Sequence, residues 1–560
     1  MRILWRLLRN VAVALVGLFA ALFRLVVRPR AVEWVAFELD GLVGRGHPDE
    51  LPGLVHRLPR ERHLRSVAQL RRALELLRQM PTLRGVVIRL GQVHAGAAVV
   101  RELRALCLDF AGAGKELVFH AEQVDLRGYW LASAGKLWLV PRGRLELVGL
   151  AAAATAAAKP LKRFGLAAHV VKAGAFKSAG ELVGSERVSE PAKAQLEELV
   201  GDLDALFVAD VAASRGLSVE RLREAIDEGP YSAARALAAG LCDALCYADE
   251  LRDRLGAREG QPHRARLGTF AAAFAAHPAP ADWKPLVDRR PVVAVLDVEG
   301  TITSGKSRAL PLLAATAGSD TLIAALDEVR RDKRAKAVVL RIDSRGGSAL
   351  ASDVIWRAAK RLGEDKPVVA YLDDVAASGG YYIAAAARRI VAAPTCITGS
   401  IGVFMVRPDA SGALAKAEVD RALIRRGRHA GIYRTDVPLD ESERAALERD
   451  VAATYDEFLQ VVAGGRAMPK ERVHELAQGR VYLAPRAKDL GLVDELGTLD
   501  DAVEAARALA GLKGPVRVVR RVSKQAGWRD LYRALRRDGA DAIAPRGASL
   551  RAEWLGEPPV

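Results

Sequence analysis

Short apolar runs alternate along this chain with longer amphipathic stretches. Residues 337–342 (AVVLRI) are a β-branched apolar run that stops at a glycine-rich turn, SRGGS. Helical spacing follows over 352–362, then a second apolar run at 367–372 (PVVAYL), then AASGG, a helical YYIAAAA and a further run, RIVAAP. Runs of about four to eight apolar residues bounded by turn signals read as buried strands. Strands of this kind alternating with helices predict an α/β fold with a mostly parallel sheet, because such a sheet is covered by helices on both faces.

The same pattern occurs twice. Residues 73–90 (ALELLRQMPTLRGVVIRL) lie over 325–342 (ALDEVRRDKRAKAVVLRI) at an offset of 252, which also sets Gly128-Tyr129-Trp130 over Gly380-Tyr381-Tyr382. Further on, PYSAARALAAGLCDAL (230–245) lies over VYLAPRAKDLGLVDEL (481–496) at an offset of 251. Three blocks at one spacing indicate duplication of a whole domain. The expected layout is an N-terminal membrane anchor over 1–30, a first repeat over 31–258, a Pro-, Ala- and Gly-rich linker over 259–290, a second repeat over 291–512, and a basic tail over 513–560.

Charge changes the picture mainly at the ends. The 560 residues carry a net charge of +16, which invites a nucleic-acid reading. Residues 1–30 hold six arginines and no acid, and 513–560 hold eleven Lys/Arg against five Asp/Glu, so most of the excess sits on the two ends. No nucleic-acid partner is expected. Residues 11–23 are uncharged, and with Arg24 snorkelling the apolar run reaches Val27. That predicts a single-pass anchor with the body on one side, in a two-membrane cell an inner-membrane protein facing the periplasm. A cleaved signal peptide is the rival, but no small-x-small site follows the run. Within the tail, 528–537 (WRDLYRALRR) is amphipathic enough to touch an anionic surface or to be a solvated helix. Four cysteines without a CxxC, and ten histidines without ligand spacing, predict no disulfide scaffold, no metal and no cofactor.

The chemistry is read from what the copies do not share. In the second, the strand PVVAYLDDVA runs into Ala377-Ser378-Gly379-Gly380 and a helix. A serine at such a junction is exposed to a substrate carbonyl, and glycines remove the Cβ atoms in its way. Upstream, Gly346-Gly347 ends another strand, and the N–H groups of Gly346, Gly347 and Gly379 are candidates for holding an oxyanion. The first copy has Leu126 and Arg127 at the Ser378 and Gly379 positions, and His94-Ala95 at the glycine pair.

The turn GGS, then AASGGYY, then TGSIGVF (398–404) resembles signal peptide peptidase A, or protease IV, in its long duplicated form, over roughly 35–510. The resemblance implies an α/β fold of two tandem Clp-protease/crotonase-like domains and a membrane-anchored serine endopeptidase with a Ser–Lys dyad that degrades cleaved signal peptides and other hydrophobic peptides. It implies Ser378 as nucleophile. The base falls on Lys177, in Gly174-Ala175-Phe176-Lys177-Ser178, with alanine (Ala430) at the matching place in the second copy. Ser400 is implied to orient the amine. A homo-oligomeric ring, tetrameric by resemblance, is implied as well. One departure is Arg345, where the family usually has proline. A lysine base must be neutral near pH 7, a drop of roughly 3 pKa units that burial can supply and arginine cannot match. The alternatives are a crotonase-like acyl-CoA enzyme, which would use a carboxylate, and a peptidase-like scaffold of weak activity.

Overall fold

The computed structural model describes residues 32–44, 63–256, 264–270, 290–310 and 313–521, with a few isolated positions besides. The chain divides into two compact units, one of residues 1–150 and 204–289, the other of 151–203 and 290–560. Each is built on one large sheet.

In the first unit the strands run in the order His63–Ser66, Trp34–Gly44, Gly85–His94, Glu116–Val124, Lys136–Leu145, Tyr231–Ser232. In the second the order is Val481–Leu483, Ile397–Gly399, Val368–Ala377, Ala335–Ser344, Val292–Glu299, Arg517–Arg521. Pairing is parallel except where Tyr231–Ser232 joins the first sheet and Val481–Leu483 the second. The repeat is visible element by element: the helices Ala97–Gly112 and Ala349–Asp365, and the strands Glu116–Val124 and Val368–Ala377, occupy equivalent places. Arg517–Arg521, at the start of the basic C-terminal stretch, adds a parallel strand beside Val292–Glu299.

The core follows from the apolar runs. Val338, Val339, Leu340 and Ile342 on one strand and Val368, Val369, Ala370 and Leu372 on the next are at most 2% exposed. Burying each large aliphatic side chain contributes about 1.5–3 kcal/mol, which drives both faces of these strands under helices. The price is that polar chemistry is confined to the strand ends, where loops replace the packed layers.

One pairing is not an internal repeat. Ala167–Ala173, from the first repeat's sequence, lies antiparallel to Val403–Asp409 of the second, from Val403 opposite Ala173 to Asp409 opposite Ala167. Both strands belong to the second unit.

The N-terminal anchor is corrected. Among the described residues no helix is long and apolar enough to cross a membrane, and nearly all of 1–30 lies outside the described residues. The uncharged run 11–23 is shorter than the ~20 apolar residues a span needs, and Arg24 interrupts its extension. Among the described residues the fold is two α/β repeats, and the expected N-terminal membrane-spanning helix is not found. The single-pass inner-membrane location, the periplasm-facing body and the membrane partner go with it, as does tethered action on signal peptides. Most of the linker and the segment 528–537 also lie outside the described residues.

Candidate active site

Ser378 stands at the C-terminal end of the strand Val368–Ala377, immediately before the helix Gly379–Ala384. Its backbone is at φ 55°, ψ −120°, a region that costs a residue with a Cβ about 1–3 kcal/mol and persists only where the surroundings impose it. They do so here. The Ser378 N–H donates to Gly399 O at 2.9 Å, the Tyr382 N–H donates to Ser378 O at 2.9 Å, and Thr398 Oγ1 donates to Ala376 O at 2.7 Å. The two glycines after Ser378 are required by space. A Cβ on Gly379 would overlap Ser352 Oγ, and one on Gly380 would stand 2.9 Å from Ser344 O.

The upstream glycines form a turn pressed against this junction. Gly346 has φ 95°, and a Cβ there would lie 2.8 Å from both Ser378 Cβ and Gly379 N. The turn is stitched to the strand Thr301–Thr303: the Ile302 N–H donates to Gly346 O at 3.0 Å and the Ser348 N–H to Ile302 O at 2.9 Å. That ladder turns the Gly347 N–H away from Ile302. The Gly379 N–H, first in its helix, has no intrahelical acceptor. The Gly346 N–H is already engaged, donating to Ser344 Oγ at 3.1 Å, while Ser344 Oγ donates to Gly300 O at 2.6 Å. Ser344 thus holds the turn in shape, a part the sequence reading missed; a serine two residues before a glycine pair was its only signal. Ser348 caps the next helix, accepting from the Ala351 N–H at 3.3 Å. Arg345 is exposed.

Lys177 lies four residues beyond the strand Ala167–Ala173, and the pairing of that strand with Val403–Asp409 carries it to Ser378. The lysine turn is seated on residues 478–480. The Phe176 N–H donates to Gln478 O at 2.8 Å, and a Cβ on Gly479 would lie 2.6 Å from Lys177 Cβ and N. The Arg480 guanidinium stacks 4.0 Å over the Phe176 ring, and Arg480 O accepts from the Ser400 N–H at 2.7 Å. This supporting loop carried no sequence signal, because glycine and glutamine near a helix end are ordinary turn residues.

Lys177 is 3% exposed. Its Nζ lies 3.1 Å from Ser378 Oγ, 2.9 Å from Ser400 Oγ and 2.9 Å from Ser400 O, with the Phe404 ring centre at 6.0 Å. Burial, with no carboxylate to oppose it, brings the amine down to about 8. A neutral amine has two N–H groups and one lone pair. Ser400 offers two acceptors for the N–H groups, which leaves the lone pair for the Ser378 hydroxyl. The structure therefore brings Ser378, Lys177 and Ser400 together within one chain and one unit, with Gly347 and Gly379 beside Ser378. It does not leave the Gly346 N–H free.

A hydroxyl facing a buried amine of lowered basicity at a strained strand–helix junction is an arrangement of the serine-peptidase class. The chain belongs to peptidase family S49, whose family model matches residues 109–261, around Lys177, and 360–513, around Ser378 and Ser400. It is 32% identical to the serine protease SPPA, chloroplastic, of Arabidopsis thaliana over 77% of this chain and 64% of that protein. It is 30% identical to Protease 4 of Haemophilus influenzae over 77% of this chain and 70% of that protein, and 30% identical to Protease 4 of Salmonella typhi over 72% and 65%. The matches span about two thirds of the length of these relatives.

Proposed function

We propose that this chain is a serine endopeptidase that cleaves peptide bonds through Ser378 and Lys177. Neutral Lys177 takes the Ser378 proton as Oγ attacks the peptide carbonyl, and the negative oxygen is received by the Gly347 and Gly379 N–H groups. The resulting ammonium returns its proton to the departing amine, leaving an acyl-enzyme. Lys177, neutral again, takes a proton from the water that releases the acyl group. Ser400 keeps the amine aimed at Ser378 throughout.

One observation carries this reading: the Lys177 amine is buried, 3.1 Å from Ser378 Oγ, with Ser400 accepting its other protons. The group against the serine is an amine rather than a carboxylate, which favours acyl transfer to serine over crotonase-type proton chemistry. The test is labelling by a fluorophosphonate together with cleavage of an unstructured protein such as casein. Both are expected in the parent chain and neither in Ser378→Ala or Lys177→Ala. A folded parent chain that is never labelled, or a fully active Ser378→Ala, would overturn it.

A further inference from the structure

The turn that carries Lys177 leaves the strand Ala167–Ala173, passes through the short helix Glu181–Gly184 and leads into the helix Glu190–Arg215. One face of it is seated on residues 478–480. The other borders open space: Ser178 and Glu181 line a cavity of about 140 Å³ together with Ala153, Thr155, Gln195 and Leu199. Gly180 and Gly184 pack on Val170, and hydrogen bonds close the rest of that side.

They converge on Glu181. Its carboxylate is 7% exposed and accepts from Lys172 Nζ at 3.1 Å, from Ser189 Oγ at 2.8 Å and from the Ser189 N–H at 3.2 Å. Lys172 lies on the strand before the turn, and Ser189 is the residue before the helix. One carboxylate thus ties both ends of the turn. These donors hold it below the usual carboxylate range against the cost of burial. Its charge is matched by Lys172, and the Lys177 amine is shifted by burial alone.

We propose that Glu181 is the positioning residue of the lysine: with Lys172 and Ser189 it closes the turn so that the Lys177 amine stays dry and aimed at Ser378. The inference rests on the Ser–Lys reading above. The experiment is the pH dependence of the second-order rate of fluorophosphonate labelling in the full chain, with thermal unfolding followed in parallel. The parent chain is expected to show a rise through about pH 8, where the amine loses its proton. In Glu181→Ala the rise should move at least about one pH unit to the alkaline side, which is about tenfold in rate at pH 7. Glu181→Gln, which still accepts from Ser189, should shift less, and Ser189→Ala should shift in the same direction. A role confined to folding would lower the melting temperature and leave the rise in place. Unshifted profiles in Glu181→Ala overturn the inference; if that variant does not fold, unshifted Glu181→Gln and Ser189→Ala do the same. A parent chain with no labelling, or with no rise near pH 8, would instead overturn the Ser–Lys reading.

Discussion

The two strand–helix junctions at 124–128 and 376–380 descend from one ancestor and have opposite electrostatics. In the first repeat Asp125 caps the helix Leu126–Ala132, its carboxylate accepting from the Gly128 N–H at 2.7 Å. In the second, Ala377 stands at that position, the helix has no side-chain cap, and Ser378 takes the strained backbone instead. A carboxylate at the first helix N-terminus takes up one of its free N–H groups, that of Gly128, and repels any negative oxygen. The glycine turn differs in the same sense: His94-Ala95 in one copy, Gly346-Gly347 packed against Ser378 in the other. The lysine turn is the mirror image. Gly174 and Gly427 both have positive φ, yet three residues on stand Lys177 in one case and Ala430 in the other. The two copies thus hold complementary halves: a capped helix with the lysine turn in one, a strained serine junction with the glycine turn in the other.

The sharpest break of this asymmetry is removal of either retained group. Ser378→Ala and Lys177→Ala should each lower kcat/KM on a peptide substrate by about 10³-fold or more. Lys177→Arg should not restore activity, since a guanidinium stays protonated. A Lys177→Arg chain with parental turnover would end the assignment.

The next effect is steric. Gly479→Ala places a Cβ 2.6 Å from Lys177 Cβ at a position with φ 75°. Turnover should fall by about 10–100-fold through displacement of the amine, read as kcat against KM.

The pH dependence follows from burial. Because Lys177 must be neutral, kcat/KM should rise about tenfold per pH unit below pH 8 and level off above it. For stability the sign is the reverse of a benefit. The unfolded amine keeps its ordinary value of 10.5 and the folded one is near 8, so the unfolded chain binds more protons between them. Stability therefore rises with pH across that window, and below pH 8 burial of the amine costs about 3 kcal/mol. Lys177→Met should abolish activity and yet raise the unfolding free energy at pH 7, by about 1–3 kcal/mol once the lost Ser400 bonds are counted, measured by denaturant unfolding.

The smallest effect tests the silent junction. Asp125→Ala should cost about 0.5–2 kcal/mol of stability, as loss of an N-cap does, and leave peptide cleavage unchanged. Leu126→Ser should acquire no fluorophosphonate label, because the Asp125 carboxylate beside it repels a negative oxygen and the turn matching that of Lys177 carries Ala430.

Much of this was legible in the residues. The apolar runs placed the strands 335–344 and 368–377 to within a few positions of their ends, since buried parallel strands advertise themselves by β-branched runs. The resemblance of AASGGYY, TGSIGVF and GAFKS to the protease IV family implied the pair, and the contrasts of Ser378 with Leu126 and of Lys177 with Ala430 agreed with it. The N-terminal reading went astray for a physical reason: hydropathy over a short arginine-flanked run does not separate a span from other apolar helices. The contributions of Ser344, Glu181 and the 478–480 loop were hidden, because their signal is a hydrogen bond between residues far apart or a glycine's backbone angle, and neither leaves a periodic trace.

What the amino-acid sequence determined by itself is the duplicated α/β pattern and which copy kept a serine or a lysine, because periodicity and residue identity are local properties. Only the tertiary structure decided that the two meet. Lys177 and Ser378 are 201 positions apart. It takes an antiparallel pairing of a first-repeat strand with a second-repeat strand to set them 3.1 Å from each other, and a buried turn to lower the amine's basicity.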